Sequence, residues 1–211
     1  MEVKISGDKP LGITGLKAEV REEVVHLNFQ WPTEIEQVYI YRSNLLENEK
    51  IERDKPYRRY TQSEYVRFGG FIDSQPGMGL VEYEVCPYIQ TREGAYLIGC
   101  EDESNKIQVM TRKIAIRYSL KERKKLFAGT KGVQMQVFCE VDLPRQALCY
   151  VKKKGSIPVN NQDGMQFKFI SDFKAGDNVL PEIEVAKDEY VRIYLSDEMP
   201  HKEIYKVYKE E

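Results

Sequence analysis

The sequence is poor in the residues that catalysis and metal binding use most. It has two histidines, His26 and His201, one tryptophan, Trp31, and four cysteines, Cys86, Cys100, Cys139 and Cys149, with no C-x-x-C spacing among them. A zinc site wants three or four His, Cys or carboxylate ligands that converge, usually with one short spacing. Neither histidine has such company, so no metal or cofactor is expected. A cysteine nucleophile needs a partnered base, and nothing nominates one. G-x-S-x-G, phosphate-binding glycine loops and kinase-type sets are missing too, so no catalytic residue is assigned and a non-enzymatic role is expected. No apolar run approaches the ~20 residues of a membrane-spanning helix. The chain has no Asn-x-Ser/Thr sequon, and its first ten residues lack a basic segment followed by an apolar stretch. Together with unpatterned cysteines this fits a reducing compartment, and a cytoplasmic location is expected.

Charge of one sign is not in excess: the net charge is −2. The balance hides an asymmetry, since residues 1–110 carry 13 Lys+Arg against 19 Asp+Glu, whereas the remainder carries 19 against 15. Neither half has the basicity of a nucleic-acid binder, so nucleic acid is not expected as a partner. Basic clusters do occur at Lys121, Arg123, Lys124 and Lys125, at Lys152, Lys153 and Lys154, and at Arg58 and Arg59, with Tyr57, Tyr60 and Tyr150 nearby to stack on bases or sugars. Solvated turns account for them more simply.

Helical periodicity is scarce, whereas period-2 alternation of β-branched and aromatic residues keeps returning between Gly, Pro, Asn and Asp. In Val24–Pro32, "VVHLNFQWP", residues Val25, Leu27, Phe29 and Trp31 point one way and His26, Asn28 and Gln30 the other, because successive strand side chains face opposite sides. Strands are expected at 13–20, 35–43, 71–73, 80–89 and 95–100, the last two as a hairpin. Both faces of 35–43 are apolar, as in a central strand. Thr61-Gln62-Ser63-Glu64 has capping-box spacing, so a short helix should begin there and stop at Gly69-Gly70. The polar stretch 44–56 reads as an exposed connection, and 101–106 as an edge or the start of a link. A boundary falls near residues 110–112. Seven further short strands in roughly a hundred residues, with a tight turn at Asp163-Gly164, give the count of a second sandwich. The fold class is therefore all-β, with two tandem β-sandwich domains over 1–110 and 111–211.

The strand ending in Trp31-Pro32, the "VYIYR" strand closed by Arg42, "FIDSQPG" and the "YEV" of Tyr83-Glu84-Val85 together resemble a fibronectin type III domain over Leu11–Ile98. The resemblance implies that Trp31 lies in the core between the sheets and that Tyr83 bonds the loop before its strand. The long segment from Asn44 to Gly70 departs from the family, which has short strands there. No Arg-Gly-Asp is present, so adhesion is not carried over. In the second half, "EVDLPRQALCYVKK" echoes "QWPTEIEQVYIYR", an internal echo that reads as a second, immunoglobulin-like sandwich.

Candidate sites follow. Cys86 and Cys100 sit roughly opposite if the hairpin turns about Arg92-Glu93, so a disulfide is conceivable; reduced, packed thiols are the plainer reading. Glu82 and Glu84 share a strand face at a spacing that meets the lower limit for glycosidase carboxylates, as many exposed sheets do by chance. The fourteen tyrosines are the most suggestive excess. Tyr39, Tyr41, Tyr88 and Tyr96 are expected to form an exposed aromatic patch that binds a protein partner. Carbohydrate binding, as an accessory module of a polysaccharide-degrading system, is the alternative.

Overall fold

The computed structural model describes residues 2–6, 11–46, 51–124 and 129–210, and the chain divides into two units, Met1–Arg112 and Lys113–Glu211. The first unit comprises β1 (Glu2–Ser6), β2 (Thr14–Arg21), β3 (Val24–Gln30), β4 (Gln37–Asn44), β5 (Arg58–Thr61), α1 (Gln62–Phe68), β6 (Phe71–Asp73), β7 (Leu80–Thr91), β8 (Gly94–Cys100) and β9 (Lys106–Met110). One sheet has the order β2-β3-β6; the other runs β1-β8-β7-β4-β5, with β9 also on β7. Glu22 and Glu23 both take positive φ, 49° and 65°, the primed-turn pattern whose twist matches a two-residue hairpin.

The core between these sheets is built from Val25, Leu27 and Phe29 of β3, Phe71 of β6, Val38 and Ile40 of β4, and Tyr83 and Val85 of β7. Each apolar side chain buried this completely contributes about 1.5–3 kcal/mol of transfer free energy. Trp31 differs from its expected place as the central plug. It follows the end of β3 and is only partly buried, with its ring 5.9 Å from that of Phe29 and 5.3 Å from that of Tyr65. Its indole Nε1 donates to the Ile35 carbonyl at 2.7 Å. The centre is already filled by Leu27 and Phe29, so the indole closes the margin of the core, where its N–H finds a main-chain partner.

Residues 58–70 have their own physical logic. Thr61 caps α1 reciprocally: its N–H donates to Glu64 Oε2 at 2.8 Å, and its Oγ1 accepts from Glu64 N at 3.3 Å. Gly69 ends the helix at φ 68°. From this helix the Tyr65 hydroxyl accepts from Phe29 N and donates to Phe29 O, at 2.8 and 2.7 Å. It thus satisfies β3 just beyond Leu27, the last residue that β6 pairs.

Two strands escape a reading by alternation alone. β7 pairs with β8 through residues 88–91 and with β9 through residues 80–84. Between β8 and β9 the chain leaves β7, and the gap is resealed where Val85 N donates to Asn105 O and Asn105 Nδ2 donates to Val85 O. Residues 101–106, expected as an edge or a link, therefore carry the chain back into the same sheet. The end of β8 pairs in parallel with β1, Val3 opposite Leu97.

The second unit holds β10 (Ile114–Lys124), β11 (Thr130–Cys139), β12 (Leu148–Lys154), β13 (Met165–Lys168), β14 (Gly176–Val179), β15 (Ile183–Ala186), β16 (Glu189–Leu195) and β17 (Tyr205–Lys209). One sheet has the order β14-β11-β10-β17 with β15 also on β11, and the other is β13-β12-β16. Ile114, Ile116, Val133, Val137, Val151, Ile193 and Ile204 are buried. The final strand, β17, joins β10 in parallel instead of extending the sheet of β16. Both units are β-sandwiches, and the described residues form strands apart from loops, α1 and two 3-10 turns.

Candidate functional site

The four tyrosines expected in one exposed patch do not share a surface. In the antiparallel registers Tyr88 stands opposite Leu97, whereas Tyr96 stands opposite Ile89. Directly opposed residues point to one face and consecutive residues to opposite faces, so Tyr96 lies on the other side of the sheet from Tyr88, with Lys4 Nζ 4.1 Å from its ring centre. Tyr39 and Tyr41 are on the same face as Tyr88 but only 4% and 2% exposed. With Cys86 and Leu97 they form a second, smaller core on the outer side of the sheet, backed by Val3, Ile51 and Tyr88.

What covers them is the end of the polar connection, at Ile51 and Arg53; its residues 47–50 lie outside the described ones. The Tyr41 hydroxyl donates to the Arg53 carbonyl at 2.7 Å, and Arg53 Nη1 meets Glu84 Oε2 at 2.9 Å. The Arg53 guanidinium also lies 5.0 Å from the Tyr41 ring centre. Ile51, an apolar residue inside a charged stretch, was the one sequence signal that this segment folds back as a strap. Tyr88 stacks on Tyr39 with ring centres 4.8 Å apart and 4° between planes. Glu82 and Glu84 do not act as a pair across a cleft, since Glu84 is turned to Arg53 and Glu82 accepts from Gln108 Nε2 at 3.0 Å.

All four thiols are free, with Cys86, Cys139 and Cys149 buried and Cys100 half-buried. Burial pushes the Cys86 thiol far up and raises that of Cys139 to about 11, so both are held as S–H and not as nucleophiles. An Ellman titration of the native protein should show one fast equivalent, from Cys100, and three that react only as the protein opens. Two or more fast equivalents would contradict the burial described.

Asp73, the residue that ends β6, gathers bonds from three side chains and one main-chain N–H. It is 2% exposed. Its carboxylate accepts from Tyr83 Oη at 2.7 Å, Arg42 Nη1 at 2.9 Å, Tyr57 Oη at 2.8 Å and Gln75 N at 3.0 Å. The Arg42 guanidinium lies 3.8 Å from the Tyr57 ring centre and also reaches the Gln75 carbonyl. This cluster fixes the turn between β6 and β7 and leaves no bonding capacity for a substrate. Burial alone would raise the Asp73 pKa, but the donors together outweigh it and hold the carboxyl below its ordinary range.

The basic and aromatic side chains weighed for nucleic acid are largely engaged. Tyr60 is buried and donates to Gly70 O, Lys153 pairs with Asp163 and Lys154 with Asp188. Lys152 Nζ lies 4.3 Å from the Phe167 ring centre, and Arg59 faces Tyr39. Arg123 pairs with Glu182 at 3.7 Å; Lys125 lies outside the described residues.

A surface with unused capacity lies in the second unit. A groove of about 390 Å³ runs along consecutive residues of β16, from Arg192 to Leu195, with Tyr118 of β10 and Val207 and Lys209 of β17 opposite. Four consecutive strand residues line one space only where that space follows the strand's edge, since alternate side chains face opposite sides. Val159 forms part of the rim, held where Tyr194 Oη donates to Pro158 O. Ile157, Val159, Met165 and Ile170, all within one short segment, are 52%, 73%, 66% and 80% exposed. Compared with protein-family models, with curated proteins and with solved structures, the chain matches none.

Proposed function

We propose that the protein is a non-catalytic, cytoplasmic protein-binding module made of a fibronectin type III-like sandwich followed by an immunoglobulin-like one. The sheet orders β2-β3-β6 and β8-β7-β4-β5, with Tyr83 bonded to Asp73 ahead of its strand, support the first assignment. Four free thiols support a reducing location. The observation that carries the binding role is the run of exposed apolar side chains from Ile157 to Ile170. Apolar side chains that stand this far exposed within one short segment offer area for a partner to cover.

The expected binding face moves accordingly, from Tyr39 and Tyr41 to the segment 157–170. A triple variant, Ile157→Ser, Val159→Ser and Ile170→Ser, should lose the proteins that the wild type captures from an extract of its own cells while keeping its thermal transition. Capture unchanged by the substitutions would refute this face. Capture of nothing by either protein would refute the role.

A further inference from the structure

Among the described residues β16 pairs with β12 alone, and β17 with β10 alone. Each sheet of the second unit therefore ends in a strand with one side open, and both strands border the groove of about 390 Å³. Which main-chain groups of β16 face it follows from the ladder. Ser196 N donates to Ala147 O, and Gly155 N donates to Asp188 O; both contacts continue the β12–β16 register, in which Leu148 opposes Leu195. Because antiparallel strands direct alternate residues' N–H and C=O to the same side, Tyr190, Arg192 and Tyr194 bond β12. Of the residues in the other set, Ile193 and Leu195 line the groove and direct theirs into it.

At its floor the Tyr118 hydroxyl, on a side chain only 2% exposed, faces the Ile193 N–H and the Arg192 guanidinium. It forms no hydrogen bond of good geometry with any described residue. Strands with unpaired edges are normally blunted or covered.

The charge around the groove is unbalanced. Lys202 is neutralised by Asp197 at 2.5 Å. Arg192 and Lys209 have no carboxylate at ion-pair distance among the described residues, and Glu210, next to Lys209, is turned to Arg117. The rim also presents apolar surface at Val159 and Val207.

We infer that the groove receives an extended acidic peptide segment of a protein partner, which adds as a strand to the open edge of β16. Its main chain bonds the Leu195 N–H and the Ile193 and Leu195 carbonyls, the Ile193 N–H being turned to Tyr118; its carboxylates meet Arg192 and Lys209; its alternate apolar side chains lie against Val207 and Val159. The inference rests on the protein-binding role and specifies its mode. Strand addition takes affinity from main-chain bonds and selectivity from alternate side chains, and the cations on this edge select acidic over basic sequences.

The test uses the full chain and a capped nonapeptide in which glutamate alternates with valine. The peptide should bind, shift the Ile193 and Leu195 amide resonances, and protect the Leu195 amide from hydrogen exchange. Arg192→Glu with Lys209→Glu should weaken binding by about 10- to 100-fold without moving the thermal transition. A lysine–valine peptide should not bind, and methylation of the peptide's alternate amide nitrogens should abolish binding while its charge is unchanged. Equal binding of the methylated or the basic peptide overturns the inference. So does protection of the Leu195 amide by self-association without peptide, which would make a second copy the occupant. If no peptide binds but the triple serine variant still loses its captured proteins, strand addition falls and the binding role stands. If the peptide binds and capture fails throughout, the role falls instead.

Discussion

Replacing Asp73 by alanine should destabilise the first unit by about 3–5 kcal/mol, the range for breaking a buried ion pair by removing one partner. The expectation rests on which groups are stranded. Tyr83 is fully buried and donates its hydroxyl only to this carboxylate. Arg42, whose side chain is 26% exposed, can recover part of its solvation; the Tyr83 hydroxyl cannot. Trp31 is the sole tryptophan and lies in the same unit, so its emission during urea unfolding reports this unit alone. A loss below about 1 kcal/mol, the value of an ordinary surface pair, would contradict the part given to Asp73.

The same residue sets a pH dependence whose sign is fixed. Its folded pKa is depressed, so its contribution is complete above the unfolded value of about 3.9 and is lost as pH falls from there through the folded value. The gap in stability between wild type and Asp73→Asn should therefore be constant near neutrality and narrow below about pH 4. A gap that stayed constant down to pH 2 would show that the carboxylate's charge is not what the cluster requires.

Much of this was legible in the sequence. Alternation placed β2, β3 and β4, capping-box spacing placed α1, and strand density pointed to paired sandwiches. Those signals are local, and the structure departs from them where pairing is distant. β1 is a short strand whose partner lies more than ninety residues away, opposite Tyr96 to Cys100. β17 has the alternation of any strand, and alternation does not say which edge it will join. The open side of β16 was invisible for the same reason. It is a property of where β17 went, not of β16 itself.

The tyrosines show a second limit. Apolar residues on both faces of β4 correctly marked a strand covered on both sides, yet what covers the outer face is a segment that reads as solvent-exposed. Arg53 escaped notice because a lone arginine in a polar stretch looks solvated, and only Glu84, thirty-one residues away on a strand, changes that. A buried charge and its partner are seldom neighbours in sequence, so composition windows register each as a surface residue.

That strap gives the second large effect. Arg53→Met should cost about 3–5 kcal/mol, because it leaves Glu84, 3% exposed, as a buried charge without its partner. Arg53→Met combined with Glu84→Gln should recover most of the loss, since removing both charges also removes the desolvation penalty that each carries alone. The single variant should in addition speed modification of Cys86, which is fully buried behind Tyr41 and Leu97 and becomes reachable once the strap loosens. If the double variant is as unstable as Arg53→Met while Cys86 stays protected, the strap is held by Ile51 and the Tyr41 hydroxyl, and the ion pair is incidental. If instead stability and thiol protection return together, the cover over Tyr39 and Tyr41 depends on charge compensation, and the outer face of β4 is structural core and not a docking surface.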